Sequence, residues 1–160
     1  MDLVFSTDQY ARAKRYSAWR DAICDVYVHV DVKATDPDRY RGFIRETKFG
    51  DVVMTDILLS EQHIKRSRQH ISQLDKECFY VQLVQKGNMT VAQRGKNHRS
   101  NAARGAIFSA TEQYELIGQG EVRSLYLELP REAFAQRFPS DRIPVSALFD
   151  TTQGLSLIHI

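Results

Sequence analysis

Tyr80-Val81-Gln82-Leu83-Val84-Gln85-Lys86-Gly87-Asn88-Met89-Thr90-Val91 sets two short apolar runs on either side of a Lys-Gly-Asn turn signal. Both runs are rich in β-branched and aromatic residues, the composition of strands that pack against a core. Comparable runs recur on both sides. The candidate strands are 42–49, 52–59, 79–85, 89–93, 106–110, 114–117 and 122–129. Gly50-Asp51, Lys86-Gly87-Asn88 and Arg94-Gly95-Lys96-Asn97 supply the expected hairpin turns. Seven short strands with tight turns predict a mainly β chain, a sandwich or a small barrel.

Upstream, the period changes. Ser6 is placed to cap a helix, and Gln9 stands three residues on, in the position of a capping box. Tyr16, Trp19, Ile23 and Val26 follow at intervals of three and four and share one face. Arg12, Arg15, Arg20 and Asp21 fall on the wet side. The helix is expected to end near Val28 to Val30, and Trp19, in mid-stripe, is assigned to the core. Downstream, Pro130 opens a second helix in which Phe134 and Phe138 stand four apart on one face. That stripe is either core or a surface on which two subunits pair.

Strand alternation places Tyr80 and Gln82 on one face of their strand, and Ser124 and Tyr126 on one face of theirs. If those faces point inward, the four offer apolar contact with a few directional hydrogen bonds, as small-molecule sites generally do. The opposite set (Phe79, Val81, Leu83, Leu125, Leu127) is apolar as well, so alternation leaves the inward face open, and filling the core remains the plainer use of the tyrosines.

The 160 residues suit one domain with a true core, 42% hydrophobic and 26% charged. Charges interrupt every apolar run before membrane-span length, and no basic segment with an apolar stretch opens the chain. A cytoplasmic domain with no membrane partner is expected. Cys24 and Cys78 have no motif spacing and read as a pair of buried thiols. Net charge is only +2, but residues 61–104 carry nine Lys or Arg against three acids. Solvated hairpin turns account for that excess more simply than a nucleic-acid surface. Glu61 to His70, the most basic stretch, is assigned to an exposed strand end and loop, because it holds neither a base-stacking aromatic nor a phosphate-cradling glycine loop.

Catalytic and metal signatures are missing. His29, His63, His70, His98 and His159 are scattered, with no H-x-H pair, so no metal and no other cofactor is expected. Cys78 lies between Lys76, Glu77 and apolar residues, with nothing to activate it. No P-loop, nucleophile elbow or dinucleotide fingerprint occurs. The chain reads as built to bind, not to react.

Several stretches in their order resemble the AraC-binding-like domain at the N-terminus of AraC-type bacterial transcription regulators. They are Phe5-Ser6-Thr7-Asp8 with Arg15, Trp19 and Arg20; the Tyr80–Val91 stretch above; Arg104-Gly105-Ala106 with Ser109-Ala110-Thr111-Glu112-Gln113-Tyr114-Glu115-Leu116; and the exit Leu127-Glu128-Leu129-Pro130-Arg131. One departure is Arg104-Gly105-Ala106, where the family commonly has Pro-Gly-Asp. The resemblance implies a cupin-like β-barrel (a double-stranded β-helix) with a helix before it and a helix after it. It implies a domain over 1–154 that senses a small organic effector and pairs as a homodimer. Tyr80, Gln82, Ser124 and Tyr126 become candidate effector contacts, and Phe134 and Phe138 candidate pairing residues. DNA binding would fall to two helix-turn-helix units beyond the chain. Residues 155–160, Leu-Ser-Leu-Ile-His-Ile, read as translation of a transposon-end sequencing adapter, with the start of an apolar helix as the rival reading. Two other functions compete: a small metal-free cupin-like enzyme of isomerase type, and a free-standing partner of full-length relatives.

Overall fold

The computed structural model describes residues 1–72, 76–138 and 147–152. The boundary at Gly154, the 155–160 tail and His159 lie outside these residues. In chain order the elements are β1 (Asp2–Ser6), α1 (Arg12–Val26), β2 (Asp31–Ala34), β3 (Phe43–Phe49), β4 (Val52–Leu59), β5 (Gln62–Arg66), α2 (Arg68–Ile71), β6 (Cys78–Gln93), β7 (Lys96–Ser100), β8 (Arg104–Ser109), β9 (Tyr114–Pro130), α3 (Arg131–Ala135) and β10 (Ala147–Asp150).

β6 and β9 are long strands that pair with each other from Cys78↔Pro130 to Ala92↔Glu115. The first half of β6 and the second half of β9 belong to one layer, ordered β1-β3-β4-β9-β6-β8-β10. The other halves belong to a second layer, in which β2 pairs β5, β5 pairs β9 and β7 pairs β6. The two layers face each other across a shared core, so the β6/β9 ribbon is the spine of both. Bulges between Val84 and Asn88 mark where it folds over.

This ribbon corrects the expected strand list. Lys86-Gly87-Asn88 is no hairpin turn, since 79–85 and 89–93 are one strand, and 114–117 joins 122–129 in the same way. The glycines bend the strand instead of reversing it. Gly87 has φ +91°, and a Cβ there would stand 2.6 Å from the carbonyl oxygen of Glu121. Arg94 and Gly95, with φ 55° and 72°, do form the turn into β7, and Gly50 forms the turn between β3 and β4.

Three further expectations change. Ser6 caps a 3-10 turn over Thr7–Gln9, accepting from the Asp8 amide at 3.2 Å, and α1 begins only at Arg12. The delay follows from Thr7, which is tied to Gly42 at the start of β3 through its amide (3.0 Å) and its hydroxyl. A strand, β1, therefore precedes the N-terminal helix, which ends at Val26 because Val28 and Val30 are buried as extended chain. The basic segment is not an exposed loop. β5 lies between β2 and β9 and turns Gln62, Ile64 and Arg66 inward. Buried Arg66 is tolerated because its guanidinium donates to the carbonyls of Ala110 and His29, each at 2.7 Å. Finally, the C-terminal helix α3 is five residues long, not an extended flank.

Trp19 belongs to the core as expected, fully buried. Its ring packs on Tyr40 at 5.0 Å and Phe5 at 5.8 Å, and its Nε1 donates to Gln62 Oε1 at 2.8 Å. Cys24 is half-buried and Cys78 buried, both as free thiols. Among the described residues, no helix is long and apolar enough to cross a membrane.

The bend makes a prediction about stability. Gly87→Ala should destabilise the fold by about 1–3 kcal/mol, because a side chain there meets both a strained φ and the Glu121 carbonyl. Gly95→Ala, with open space around it, should cost less. Urea denaturation of the two variants measures the difference, and equal midpoints would refute the assigned bend.

Candidate functional site

Cross-strand register decides what enters the interior. Tyr80 pairs with Glu128, Gln82 with Tyr126 and Val84 with Ser124, and these residues share the inner face of the first layer. The four candidates Tyr80, Gln82, Ser124 and Tyr126 are all buried there. Phe79, Val81, Leu83, Leu125 and Leu127 take the outer face.

Within the interior the four separate into two groups. Tyr80 and Tyr126 line an almost wholly apolar cavity of about 30 Å³, room for roughly two waters. Gln82 stands behind Tyr126, donating to its hydroxyl at 2.7 Å and to Met89 Sδ at 2.9 Å. Its Oε1 is buried with no hydrogen-bond partner. Ser124 is off the cavity wall, with its hydroxyl committed to the Leu83 and Leu125 carbonyls.

The remaining wall comes from residues that the strand pattern alone did not single out. Phe108 from β8 packs on Tyr80 at 5.5 Å and on Tyr114 at 4.8 Å. Met89 and Leu116 come from the second layer, and Ile23, Tyr27, Val28 and Val30 from the end of α1. Alternation along 106–110 held a signal for Phe108. Helical spacing held a signal for Tyr27 too, since it stands four residues after Ile23 on the Trp19 face, although it follows the last helical residue.

Among the described residues, the ionisable groups on this wall are tyrosines 27, 80, 114 and 126. Burial pushes the Tyr126 phenol up to about 12, against the lowering effect of its hydrogen bonds with Gln82 and Ser124. Burial also holds Tyr27 and Tyr80 well above the ordinary phenol range, with the Cys78 and Glu128 charges adding to the rise at Tyr80. Tyr80 donates to Glu128 Oε1 at 2.9 Å, and Lys76 Nζ meets the same oxygen at 3.0 Å. Outside the cavity, burial raises the Cys78 thiol to about 12, which leaves it unsuited to nucleophilic attack. No group of three or more His, Cys, Asp or Glu among the described residues is placed to hold a metal ion.

Phe134 and Phe138 sit at the rim of the first layer. Phe134 packs on Phe79 at 4.8 Å and Phe138 on Phe134 at 5.0 Å. Phe134 and Phe138 are thus both half-buried, Phe134 against its own sheet and Phe138 beyond it on the same stripe.

A two-layered β fold with an apolar, phenol-lined interior defines a class of small binding domains. The AraC-binding-like domain model matches residues 19–158, and the chain belongs to that family. A relative from Bacillus sp. (strain OxB-1), described as an uncharacterized protein in the nit 5′ region, is 26% identical over 131 residues, 82% of this chain and 51% of that protein. The chain therefore spans about half the length of this curated relative. The crystal structure of the AraC-like transcriptional activator CuxR superposes with a TM-score of 0.82 at 14% identity, covering 97% of this chain and 56% of that one. At that identity the likeness is one of fold.

The buried phenols set an alkaline limit. The unfolded chain releases each phenol proton near pH 10, whereas Tyr126 holds its own to about 12, so above pH 10 the unfolded state binds fewer protons. Stability should be constant with respect to these groups below pH 10 and fall by about 1.4 kcal/mol per unit for each buried phenol above it. Denaturation at pH 9, 10.5 and 11.5 tests this, and Tyr126→Phe should flatten the slope.

Proposed function

We propose that this chain is the effector-sensing and pairing domain of a bacterial, cytoplasmic AraC-type transcription regulator. The observation that carries the reading is the interior of a chain that belongs to the AraC-binding-like family: Tyr80 and Tyr126, with Gln82 in support, around an apolar cavity. A small organic effector would find apolar walls and two or three neutral hydrogen-bonding groups there. The enzymatic alternative gains no support from this wall. Its phenols are neutral near pH 7, whereas general acid–base work favours a group that titrates near the working pH.

DNA recognition belongs, in this reading, to helix-turn-helix units encoded beyond residue 154. Pairing of two sensing domains would hold two such units at half-site spacing. The continuation of the Phe134 stripe to Phe138 supports placing the subunit contact at α3.

Two measurements test the proposal. Against a panel of small neutral organic molecules, at least one class should raise the Tm dose-dependently, by roughly 2.7 kcal/mol of stabilisation at a hundredfold excess over Kd. Tyr126→Ala should abolish that rise, and a panel without effect would count against effector sensing. In sedimentation, the chain should run as a dimer and Phe138→Glu as a monomer with unchanged circular dichroism. Identical sedimentation of the two would remove Phe138 from the interface.

A further inference from the structure

Four residues of the cavity wall, Ile23, Tyr27, Val28 and Val30, come from no strand, and Tyr27 is the aromatic one among them. Tyr27 follows the last residue of α1, where the backbone leaves the helix with φ −103° and ψ −112°. The residue as a whole is half-buried, yet its hydroxyl lies inside, 2.6 Å from Thr55 Oγ1 on β4. The ring stands edge-on to Tyr80 at 5.9 Å and to Tyr126 at 5.7 Å. Aromatic pairs of that geometry are favourable beyond simple burial. A bound aromatic guest with one hydroxyl would show the same set of contacts.

The free space beside Tyr27, about 30 Å³, is too small for even a single ring. A guest must therefore take volume from the wall, and Tyr27 is the largest wall residue on the segment that connects α1 to β2. The segment is held by the burial of Val28 and Val30 and by hydrogen bonds to its carbonyls. Lys76 Nζ donates to the Val26 carbonyl at 2.7 Å and Arg66 to the His29 carbonyl at 2.7 Å. Cys24 Sγ donates to the Val30 carbonyl at 3.4 Å.

We propose that Tyr27 is an internal occupant of the effector slot, and that the effector is a small neutral phenol or aryl alcohol that displaces it, stacking against Tyr80 and Tyr126 and bonding Thr55. The proposal rests on the effector-sensing reading and gives it a ligand class and a mode of regulation. Among the described residues, no cation lines the wall to receive a carboxylate or phosphate, which favours a neutral guest. Thr55 supplies the hydroxyl partner that Tyr27 now uses. Displacement carries residues 26–30 outward and frees the Val26 carbonyl from Lys76. Because Lys76 and Tyr80 share Glu128, the cavity wall and the end of α1 respond together. A closed state populated about ten to one would lower the apparent affinity about tenfold.

The 160-residue chain, Tyr27→Ala, Tyr27→Phe and the double variant Tyr27→Ala/Thr55→Val are titrated with p-cresol and with toluene, each followed by NMR. Tyr27→Ala should bind p-cresol about tenfold more tightly than the unaltered chain. Adding Thr55→Val should weaken p-cresol by about fivefold and leave toluene unchanged. Saturating p-cresol should increase amide hydrogen exchange at residues 26–30 of the unaltered chain. If circular dichroism shows Tyr27→Ala unfolded, Tyr27→Phe stands in, with p-cresol binding tightened because the occupant has lost its bond to Thr55. Equal p-cresol affinity with and without Tyr27, no effect of Thr55→Val, or unchanged exchange at 26–30 would each overturn the proposal. A compound of another class that shifts Tyr80 and Tyr126 equally in the unaltered chain and Tyr27→Ala would overturn it while sparing effector sensing. If no compound reaches the interior of either protein, both fall.

Discussion

The register of β6 against β9 is the constraint on which the rest of the molecule depends. The two strands run together through both layers, so one pairing fixes the orientation of every residue along them. A slip by one residue would turn Tyr80, Gln82, Ser124 and Tyr126 to the outside and bring Phe79, Val81 and Leu83 in. Because both sets are apolar or hydrogen-bonding, hydrophobic burial alone would resist that slip weakly. The specific pairs resist it more. Gln82 reaches the Tyr126 hydroxyl directly across the ladder, and Tyr80 reaches Glu128 in the same manner. The bend at Gly87, closed against the Glu121 carbonyl, admits no side chain and so fixes where the ribbon folds.

The helix is the second determinant, and it acts as a closure more than as a layer. Trp19 anchors it among Phe5, Tyr40 and Gln62, beside a glycine, Gly42, whose Cβ would strike the indole at 2.6 Å. With that end fixed, the chain beyond Val26 has only one course, down into the mouth between the layers. Val28 and Val30 are buried there, and Ile23 joins them on the cavity wall. Trp19 is not itself on the cavity wall, while Ile23, one turn further on, and the segment after α1 are part of it.

The first layer is also apolar on its outer face. Phe134 covers Phe79, and Phe149 of β10 lies over Gly105, where an added Cβ would be 2.4 Å from the ring. The Arg104-Gly105-Ala106 departure from the family's Pro-Gly-Asp falls at this point. Gly105 keeps the feature that packing requires there, space for an aromatic ring, and the flanking residues differ without cost to the strand. A bidentate pair, Arg123 on Asp56 at 2.9 and 3.2 Å, polarises the rim of the same face.

The sequence by itself determined the mainly β character, the core position of Trp19, the turns at Gly50 and Arg94-Gly95, and the sharing of one face by Tyr80 with Gln82 and by Ser124 with Tyr126. All of these follow from local chemistry: β-branched and aromatic runs, left-handed turn residues, and the period of two. Only the tertiary structure decided which face points inward, because that depends on which strands flank the ribbon, and both faces were suitable for burial. It also decided that Lys86-Gly87-Asn88 bends a strand instead of ending it, since a glycine permits either course and the partner strand selects one. The inward turn of Arg66 was hidden for a similar reason. A charged residue reads as exposed until the carbonyls of Ala110 and His29, 44 and 37 residues away, are brought to it. Tyr27 was legible only in part. Its spacing from Trp19 and Ile23 puts it on the buried face, but only the docking of the helix decides that this face meets Tyr80 and Tyr126.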